Sequence, residues 1–177
     1  IAGGDAALIA ARPDIFPGAL PHDVTRFIGR EREIDVARNL LETTRLLTLT
    51  GPGGTGKTRL AMQLARSLGD DYPDGVWFVA LADIADPDLV STLTAQALGL
   101  RDLGGGKLNS RVAAALQDRC VLLVLDNFEH VLGARSFVSD LLAGCPDLTV
   151  MVTSRTPLAI QGEQELPVPP LTTPVTA

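Results

Sequence analysis

A glycine-rich segment between a predicted strand and a predicted helix constrains the fold of this chain most. Residues 51 to 58 read Gly-Pro-Gly-Gly-Thr-Gly-Lys-Thr and match the pattern G-x-x-x-x-G-K-[ST]. The β-prone run 46–50 precedes them, and residues 58–68 carry apolar side chains at helical spacing. Strand, loop and helix in this order are the context that the motif requires. The alternative interpretation is an ordinary glycine-rich turn.

The residue types of this phosphate loop, residues 51–58, suit a polyphosphate. Its glycines lack a Cβ atom, so the backbone can adopt positive φ and pass close to phosphate oxygens. Successive N–H groups then form an anion-binding concavity at a helix N-terminus. Lys57 can reach the β- and γ-phosphates, and the Thr58 hydroxyl can ligate Mg²⁺. The predicted nucleotide-binding residues here are Gly51, Pro52, Gly53, Gly54, Thr55, Gly56, Lys57, Thr58 and Arg59.

A second candidate site residue, Asp126, follows the continuous apolar run 121–125. Such a run is typical of a parallel strand that is buried on both faces. An acid at the carboxyl end of that strand points into the crevice where open α/β sheets bind ligands. Beside a phosphate loop, this acid holds the Mg²⁺ shell. The alternative is that Asp126 only caps the following helix.

Strands and helices alternate along the rest of the chain. The predicted strands are 46–50, 76–81, 121–125, 148–152 and 165–168, and the predicted helices are 30–45, 58–68, 86–98, 109–119 and 129–143. The alternation predicts an α/β fold, a three-layer P-loop NTPase with a parallel sheet of about five strands and helices on both faces. The phosphate loop, Asp126 and the Thr153-Ser154-Arg155 segment all fall at carboxyl ends of predicted strands, where ligands bind.

Composition sets further limits. The formal net charge is −6 and there is no Lys/Arg block, so the segment lacks the electrostatic footprint of a nucleic-acid binder. No stretch of 18 apolar residues predicts a membrane span, and no basic region predicts a signal peptide. Cys120 and Cys145 have no metal-ligand spacing, which favours two buried free thiols in a reducing cytosol. We therefore expect a cytoplasmic protein.

The proposed domain division follows the Gly and Pro content. Residues 1–25 are interpreted as an N-terminal linker or arm, 26–171 as the nucleotide-binding domain, and 172–177 as the start of a linker to further domains. The first residue is Ile1 and the end is rich in proline, so we expect a segment of a longer protein.

With these residues in hand, the chain resembles the STAND class of P-loop ATPases, which is related to AAA+ and NB-ARC modules. It looks most like the modules of bacterial multidomain transcriptional regulators. Four segments carry the resemblance, in an order and spacing that make the set specific: Phe27-Ile28-Gly29-Arg30-Glu31, the phosphate loop, residues 123–130 from Leu123 to His130, and Val152-Thr153-Ser154-Arg155.

The resemblance implies roles for particular residues. Ile28, Gly29 and Arg30 would lie along the adenine and ribose, and Arg155 would sense the γ-phosphate. Relatives that hydrolyse ATP often place a second acid directly after the strand-end Asp; here that position is Asn127, and Glu129 is the candidate substitute. The implied cofactors are ATP or ADP with Mg²⁺. The implied partners are helical and winged-helix domains of the same chain, possible helix-turn-helix or cyclase domains, and other copies in nucleotide-dependent self-association.

Several functions remain open on the sequence. The leading hypothesis is an ATP/ADP-binding switch of a signalling or transcription-regulatory protein, with slow Mg²⁺-dependent hydrolysis that uses Lys57, Asp126, Glu129 and Arg155. A small-molecule or nucleoside kinase is an alternative, although the loop 99–107 with Arg101 is its only candidate lid. A GTPase would show an Asn-Lys-x-Asp signature, which the sequence lacks. A third hypothesis is a non-hydrolysing, nucleotide-bound interaction scaffold.

Overall fold

The computed structural model describes residues 29–100 and 107–170. The predicted arm 1–25, Ile28, the candidate lid residue Arg101 and the predicted linker 172–177 lie outside these ranges.

Five strands and five α-helices alternate in the described part of the chain. The strands are β1 (Leu46–Thr50), β2 (Val76–Ala80), β3 (Val121–Asp126), β4 (Leu148–Ser154) and β5 (Glu163–Pro167). The helices are α1 (Glu31–Leu41), α2 (Lys57–Ser67), α3 (Leu89–Ala97), α4 (Leu108–Leu116) and α5 (Arg135–Gly144). Short 3₁₀ turns occupy Gly69–Asp71, Phe128–His130 and Leu132–Ala134.

The strands form one parallel sheet in the order β2-β3-β4-β1-β5. This confirms the predicted α/β class and the predicted number of about five strands. Because every pairing is parallel, all carboxyl ends of the strands meet at one edge of the sheet. β4 lies between β1 and β3, so the segment after β4 sits between the phosphate loop and the end of β3.

Along each strand, successive side chains point to opposite faces of the sheet, and each face carries its own apolar cluster. Leu123 and Leu125 join the cluster formed with α3, α4 and α5, whereas Leu122 and Val124 join the cluster formed with α1 and α2. The whole of β3 is buried, as are β1 and β4. The continuous apolar runs in the sequence thus reflect strands covered by helices on both faces.

The edge strand β5 is bound to β1 by side chains as well as by the main chain. Thr48 donates a hydrogen bond to Glu163 over 2.6 Å, and Thr50 donates one to Glu165 over 2.6 Å. Glu163 also accepts the main-chain N–H groups of Leu158 and Ala159, at 2.8 Å each. The observed strand therefore begins at Glu163, two residues before the predicted strand 165–168, because Glu163 ties the preceding turn to the sheet.

One predicted helix is wrong over its first turn and a half. The sequence predicted a helix over 129–143, but α5 begins at Arg135 after two 3₁₀ turns. Asn127 takes the left-handed conformation, with φ of 63°, and this directs the chain out of β3 without starting an α-helix. Among the other predicted helices, α1 ends four residues early, at Leu41, and α4 ends three residues early, at Leu116.

The two cysteines differ in exposure, in part contrary to expectation. Both are free, but Cys145 is buried and Cys120 is half-buried. Burial raises the pKa of the Cys145 thiol and of the Tyr72 hydroxyl, because both lie in apolar surroundings that disfavour the charged form.

No helix in the described ranges is both long enough and apolar enough to cross a membrane.

We expect the helix-covered sheet to be destabilised when a buried side chain is shortened. Leu123→Ala removes a fully buried side chain from the centre of β3 and should lower the free energy of unfolding by about 2–5 kcal/mol. Leu89→Ala, at a position that is 42% exposed, is the matched control and should cost far less. Urea denaturation measures both, and similar losses for the two variants would contradict a core at β3.

Candidate functional site

The phosphate loop connects β1 to α2 at the edge of the sheet where the strands end. Gly54 and Gly56 have φ of 79° and 84°, a conformation that residues with a Cβ atom rarely adopt. At Gly51, a Cβ atom would lie 2.6 Å from the carbonyl oxygen of Val168, so this position accepts only glycine without a shift of the backbone. Glycine is thus required here both by backbone conformation and by a close approach.

The Lys57 side chain lies inside the curve of the loop. Its Nζ donates to the carbonyl oxygens of Gly51 and Pro52, at 2.8 and 2.9 Å, and the residue is only 6% exposed. The Thr55 hydroxyl donates to Pro52 as well, over 3.1 Å. The ammonium group is therefore held in the loop, at the N-terminus of α2, where positive charge favours an anionic ligand.

Asp126 lies at the carboxyl end of β3 and accepts two short hydrogen bonds on the same oxygen. The hydroxyl of Thr58, in the first turn of α2, donates to Oδ1 over 2.7 Å. The hydroxyl of Thr153, at the end of β4, donates to Oδ1 over 2.6 Å. Asp126 is 5% exposed, so these donors compensate a carboxylate that has largely lost contact with water. The two predicted magnesium ligands, Thr58 and Asp126, are thus in direct contact.

Thr153 belongs to a segment predicted at the ligand-binding edge of the sheet, but no role was predicted for its hydroxyl. Its hydroxyl donates to Asp126 and accepts the main-chain N–H of Asn127 over 2.9 Å. It is fully buried. A threonine in a strand is also favoured by β-propensity alone, so its type gave no signal of this role.

A crevice of about 260 Å³ opens between the loop and the segments that follow β3 and β4. Its walls contain eight of the predicted site residues together with Asn127 and His130, whereas Asp126, which contacts Thr58, does not line it. The lining residues are Gly53, Gly54, Gly56, Lys57, Thr58, Arg59, Asn127, Glu129, His130 and Arg155. Sequence segments about a hundred residues apart therefore meet at one crevice.

Glu129 and Arg155 form an ion pair at this crevice. Arg155 Nε lies 3.4 Å from Glu129 Oε1. The Arg155 side chain is 62% exposed, whereas that of Glu129 is 10% exposed. The second carboxylate oxygen of Glu129 is buried and has no hydrogen-bond partner among the described residues. The Arg155 side chain of this pair is thus mostly in solvent, whereas the Glu129 side chain is largely buried.

The structure places Arg30 behind the loop. Its guanidinium donates to the carbonyl oxygens of Thr55 and Pro169, at 2.7 and 2.8 Å, and the residue is 3% exposed. Gly29 precedes it with φ of 83°. Neither lines the crevice formed by the loop, Asn127 and Arg155. The predicted contact of Gly29 and Arg30 with the base and ribose stays a prediction, and Ile28 lies outside the described residues.

Comparison with known proteins decides the family. A protein-family model for the AAA ATPase domain matches residues 26–158. The chain belongs to this family. The matched range of this AAA domain contains the phosphate loop, strands β1 to β4 and the residues that line the crevice. Strand β5 follows shortly after it.

Curated relatives of the AAA domain include regulators. An uncharacterised protein of Mycobacterium tuberculosis is 41% identical over 149 residues, which are 84% of this chain and 38% of that protein. A second M. tuberculosis protein, provisionally named an HTH-type transcriptional regulator, is 43% identical over 71% of this chain and 14% of its own length. The regulatory protein AfsR of Streptomyces griseus is 32% identical over 78% and 15%. The chain thus spans between 14% and 38% of the length of these relatives.

Solved structures support the fold. The Aeropyrum pernix ORC1 protein in complex with DNA has a TM-score of 0.62 at 22% identity, covering 88% of this chain and 47% of that one. A STAND protein with a tetratricopeptide repeat sensor from Pyrococcus horikoshii has a TM-score of 0.51 at 18% identity, covering 80% and 23%. Together with the family match and the regulator relatives, these neighbours confirm the resemblance that the sequence predicted.

The donor groups in the crevice suit a magnesium-bound nucleoside polyphosphate. Mg²⁺ takes oxygen ligands and binds through one or two protein groups plus substrate phosphates, and Thr58 and Asp126 offer a hydroxyl and a carboxylate side by side. The glycine backbone of the loop and the buried Lys57 offer N–H and ammonium donors for phosphate oxygens. Thr58 and Asp126 would hold the metal, and the loop would hold the phosphates.

We expect the Thr153 hydroxyl to stabilise the site as well as the fold. Thr153→Val keeps the shape of the side chain but removes one donor from Asp126 and leaves the Asn127 N–H without its acceptor. Such a loss should lower the free energy of unfolding by about 1–3 kcal/mol in urea denaturation. Thr153→Ser keeps the hydroxyl and is the control. A valine variant as stable as the serine variant would contradict this role.

Proposed function

We propose that this AAA domain is an ATP/ADP-binding switch of a larger signalling or transcription-regulatory protein, with slow Mg²⁺-dependent ATP hydrolysis. The observation that carries the proposal is the contact between Thr58 and Asp126 beside the phosphate loop, since it joins a buried carboxylate to a hydroxyl that lines the same crevice as the phosphate cradle. The regulator relatives support a signalling role for the whole protein.

The proposed roles follow from the position of each side chain. Bound ATP with Mg²⁺ would supply a phosphoryl group whose negative charge the cation helps to neutralise. Lys57 would exchange its bonds to Gly51 and Pro52 for bonds to phosphate oxygens. Arg155 is exposed at the crevice mouth, and its planar guanidinium suits phosphate oxygens, so it would sense the γ-phosphate.

Hydrolysis would depend on Glu129. Asn127 has no carboxylate and its main-chain N–H is engaged with Thr153, so it would not act as a base. Glu129 lines the crevice, and in its present contact it is paired with Arg155. Glu129 would have to leave this ion pair before it could act as a base, and this supports the proposal of slow turnover. The same asparagine favours a second candidate, a nucleotide-bound scaffold that does not hydrolyse ATP.

The remaining parts of the proposed protein lie beyond this segment. The HTH-type relative supports a helix-turn-helix domain as a partner in the same chain. From the family resemblance we further propose helical, winged-helix or cyclase domains as partners, in a cytoplasmic protein that self-associates in a nucleotide-dependent way. Because the net charge of this segment is −6, we assign any DNA binding to a flanking domain.

Calorimetric titration with ATP, ADP and GTP, each with Mg²⁺, tests the proposal. Binding of ATP and ADP without binding of GTP is the expected result. A failure of all three to bind would contradict the switch. A phosphate-release assay on the ATP-bound protein then separates the two candidates, because slow release supports the switch and no release supports the scaffold.

Lys57→Ala should weaken ATP binding at least about tenfold, because one charge-assisted contact to phosphate is worth about 1.4 kcal/mol or more. Lys107→Ala removes the only other lysine in the sequence, an exposed residue, and should leave the affinity unchanged. Calorimetric titration of both variants measures the difference. Equal affinity of the two variants for ATP would rule out phosphate binding by the loop lysine.

Arg155→Ala should weaken ATP binding more than ADP binding, by roughly fivefold to tenfold in the ratio of the two dissociation constants. The reason is that only ATP carries the γ-phosphate that the guanidinium would contact. Arg135→Ala, which removes an exposed arginine at the start of α5 and outside the crevice lining, is the control. If Arg155→Ala weakens ATP and ADP binding equally, Arg155 is not a γ-phosphate sensor.

A further inference from the structure

Arg30 is a buried cation that the proposed chemistry does not use. Its Nη2 atom donates to Thr55 O over 2.7 Å and to Pro169 O over 2.8 Å, while Nη1 lies 3.5 Å from Glu33. The residue is 3% exposed. The two short bonds go to main-chain carbonyls, whereas the contact with the Glu33 carboxylate is longer.

Burial of a guanidinium is costly unless hydrogen bonds and nearby charge compensate for it. Arg38, in the helix α1 that follows Arg30, shows the less costly arrangement. This half-buried residue donates to the Ser67 carbonyl over 3.0 Å through a solvent-exposed hydrogen bond. Arg30 also donates to main-chain carbonyls, but from a buried position directly behind the phosphate loop. This indicates that the loop conformation depends on it.

The bond to Thr55 fixes the direction of a peptide group. In a trans peptide, the carbonyl of one residue and the N–H of the next point in opposite directions, and the described residues contain no cis bond. When Arg30 holds the Thr55 carbonyl, the Gly56 N–H is directed to the other side of that peptide. Gly56 lines the crevice. A buried arginine outside the crevice thus turns the N–H of a crevice-lining residue away from itself.

The bond to Pro169 anchors the same guanidinium to the segment that follows β5. That segment also meets the start of the loop, because the Val168 N–H donates to Thr50 O over 2.7 Å and its carbonyl leaves no room for a Cβ atom on Gly51. The loop is therefore held at its start by Val168 and near its end by Arg30. Both holds converge on residues 168–169.

We propose that Arg30 is a positioning residue that keeps the phosphate loop in its anion-binding conformation by holding the Thr55–Gly56 peptide against residues 168–169. The inference rests on the proposed nucleotide binding and refines it, because it assigns Arg30 to the phosphates and not to the base. An arginine that contacts adenine would matter for ADP but not for a ligand that has no base.

The experiment measures the binding of labelled ADP with Mg²⁺ and its displacement by inorganic pyrophosphate. Arg30→Ala should weaken ADP binding and pyrophosphate binding by the same factor, about tenfold, because both lose the oriented Gly56 N–H. Arg38→Ala is the matched control, which removes an arginine from the helix that follows Arg30, and it should leave both affinities unchanged. Thermal unfolding of each variant reports its folded fraction at the assay temperature, because partial unfolding would lower both apparent affinities by the same factor. The tenfold loss supports the inference when the variant is folded at that temperature.

Arg30→Lys extends the test if the alanine variant does not fold. The lysine keeps the charge but donates from a single atom, so it should weaken both ligands by about threefold. The inference is overturned if pyrophosphate binds an Arg30 variant as it binds the unaltered chain while ADP binding falls, or if pyrophosphate cannot displace ADP from the unaltered chain. A chain that binds no ADP at all would instead overturn the proposed function.

Discussion

The carboxylate of Asp126 is the interaction on which the site depends. One oxygen accepts hydrogen bonds from Thr58 in α2 and from Thr153 in β4, while the residue itself ends β3. A buried carboxylate must find donors, and here the donors come from the two elements that border the crevice. The loop, the third strand and the fourth strand are therefore fixed relative to one another by a single side chain.

The strand order determines which groups lie close to Asp126. Since β4 separates β1 from β3, the end of β4 lies beside both the phosphate loop and Asp126. Arg155 comes directly after β4, which places an exposed guanidinium between the two halves of the site and within reach of Glu129. A parallel sheet with another order would have separated these groups, even with the same motifs in the sequence.

Some of this arrangement could be predicted from the sequence and some could not. The loop and Asp126 stand out because their residue types are tied to local context, a glycine run between strand and helix and an acid after an apolar run. The start of α5 was predicted too early, because the left-handed Asn127 and the turns after it override the helical spacing of the apolar residues. The bonds made by Arg30 and Thr153 depend on residues 25 or more positions away, and no local pattern encodes them.

The side chains of β5 have a consequence for association between chains. In the sheet that the structure describes, β5 and β2 are the two edges. β5 carries Glu163 and Glu165, and charged side chains on an edge strand oppose pairing with a further strand. β2 reads Val-Trp-Phe-Val-Ala, without a charge or a proline. The charges of β5 thus oppose edge-to-edge pairing, whereas the side chains of β2 do not, so we expect β2 to be the edge that pairs more readily in a partly opened chain.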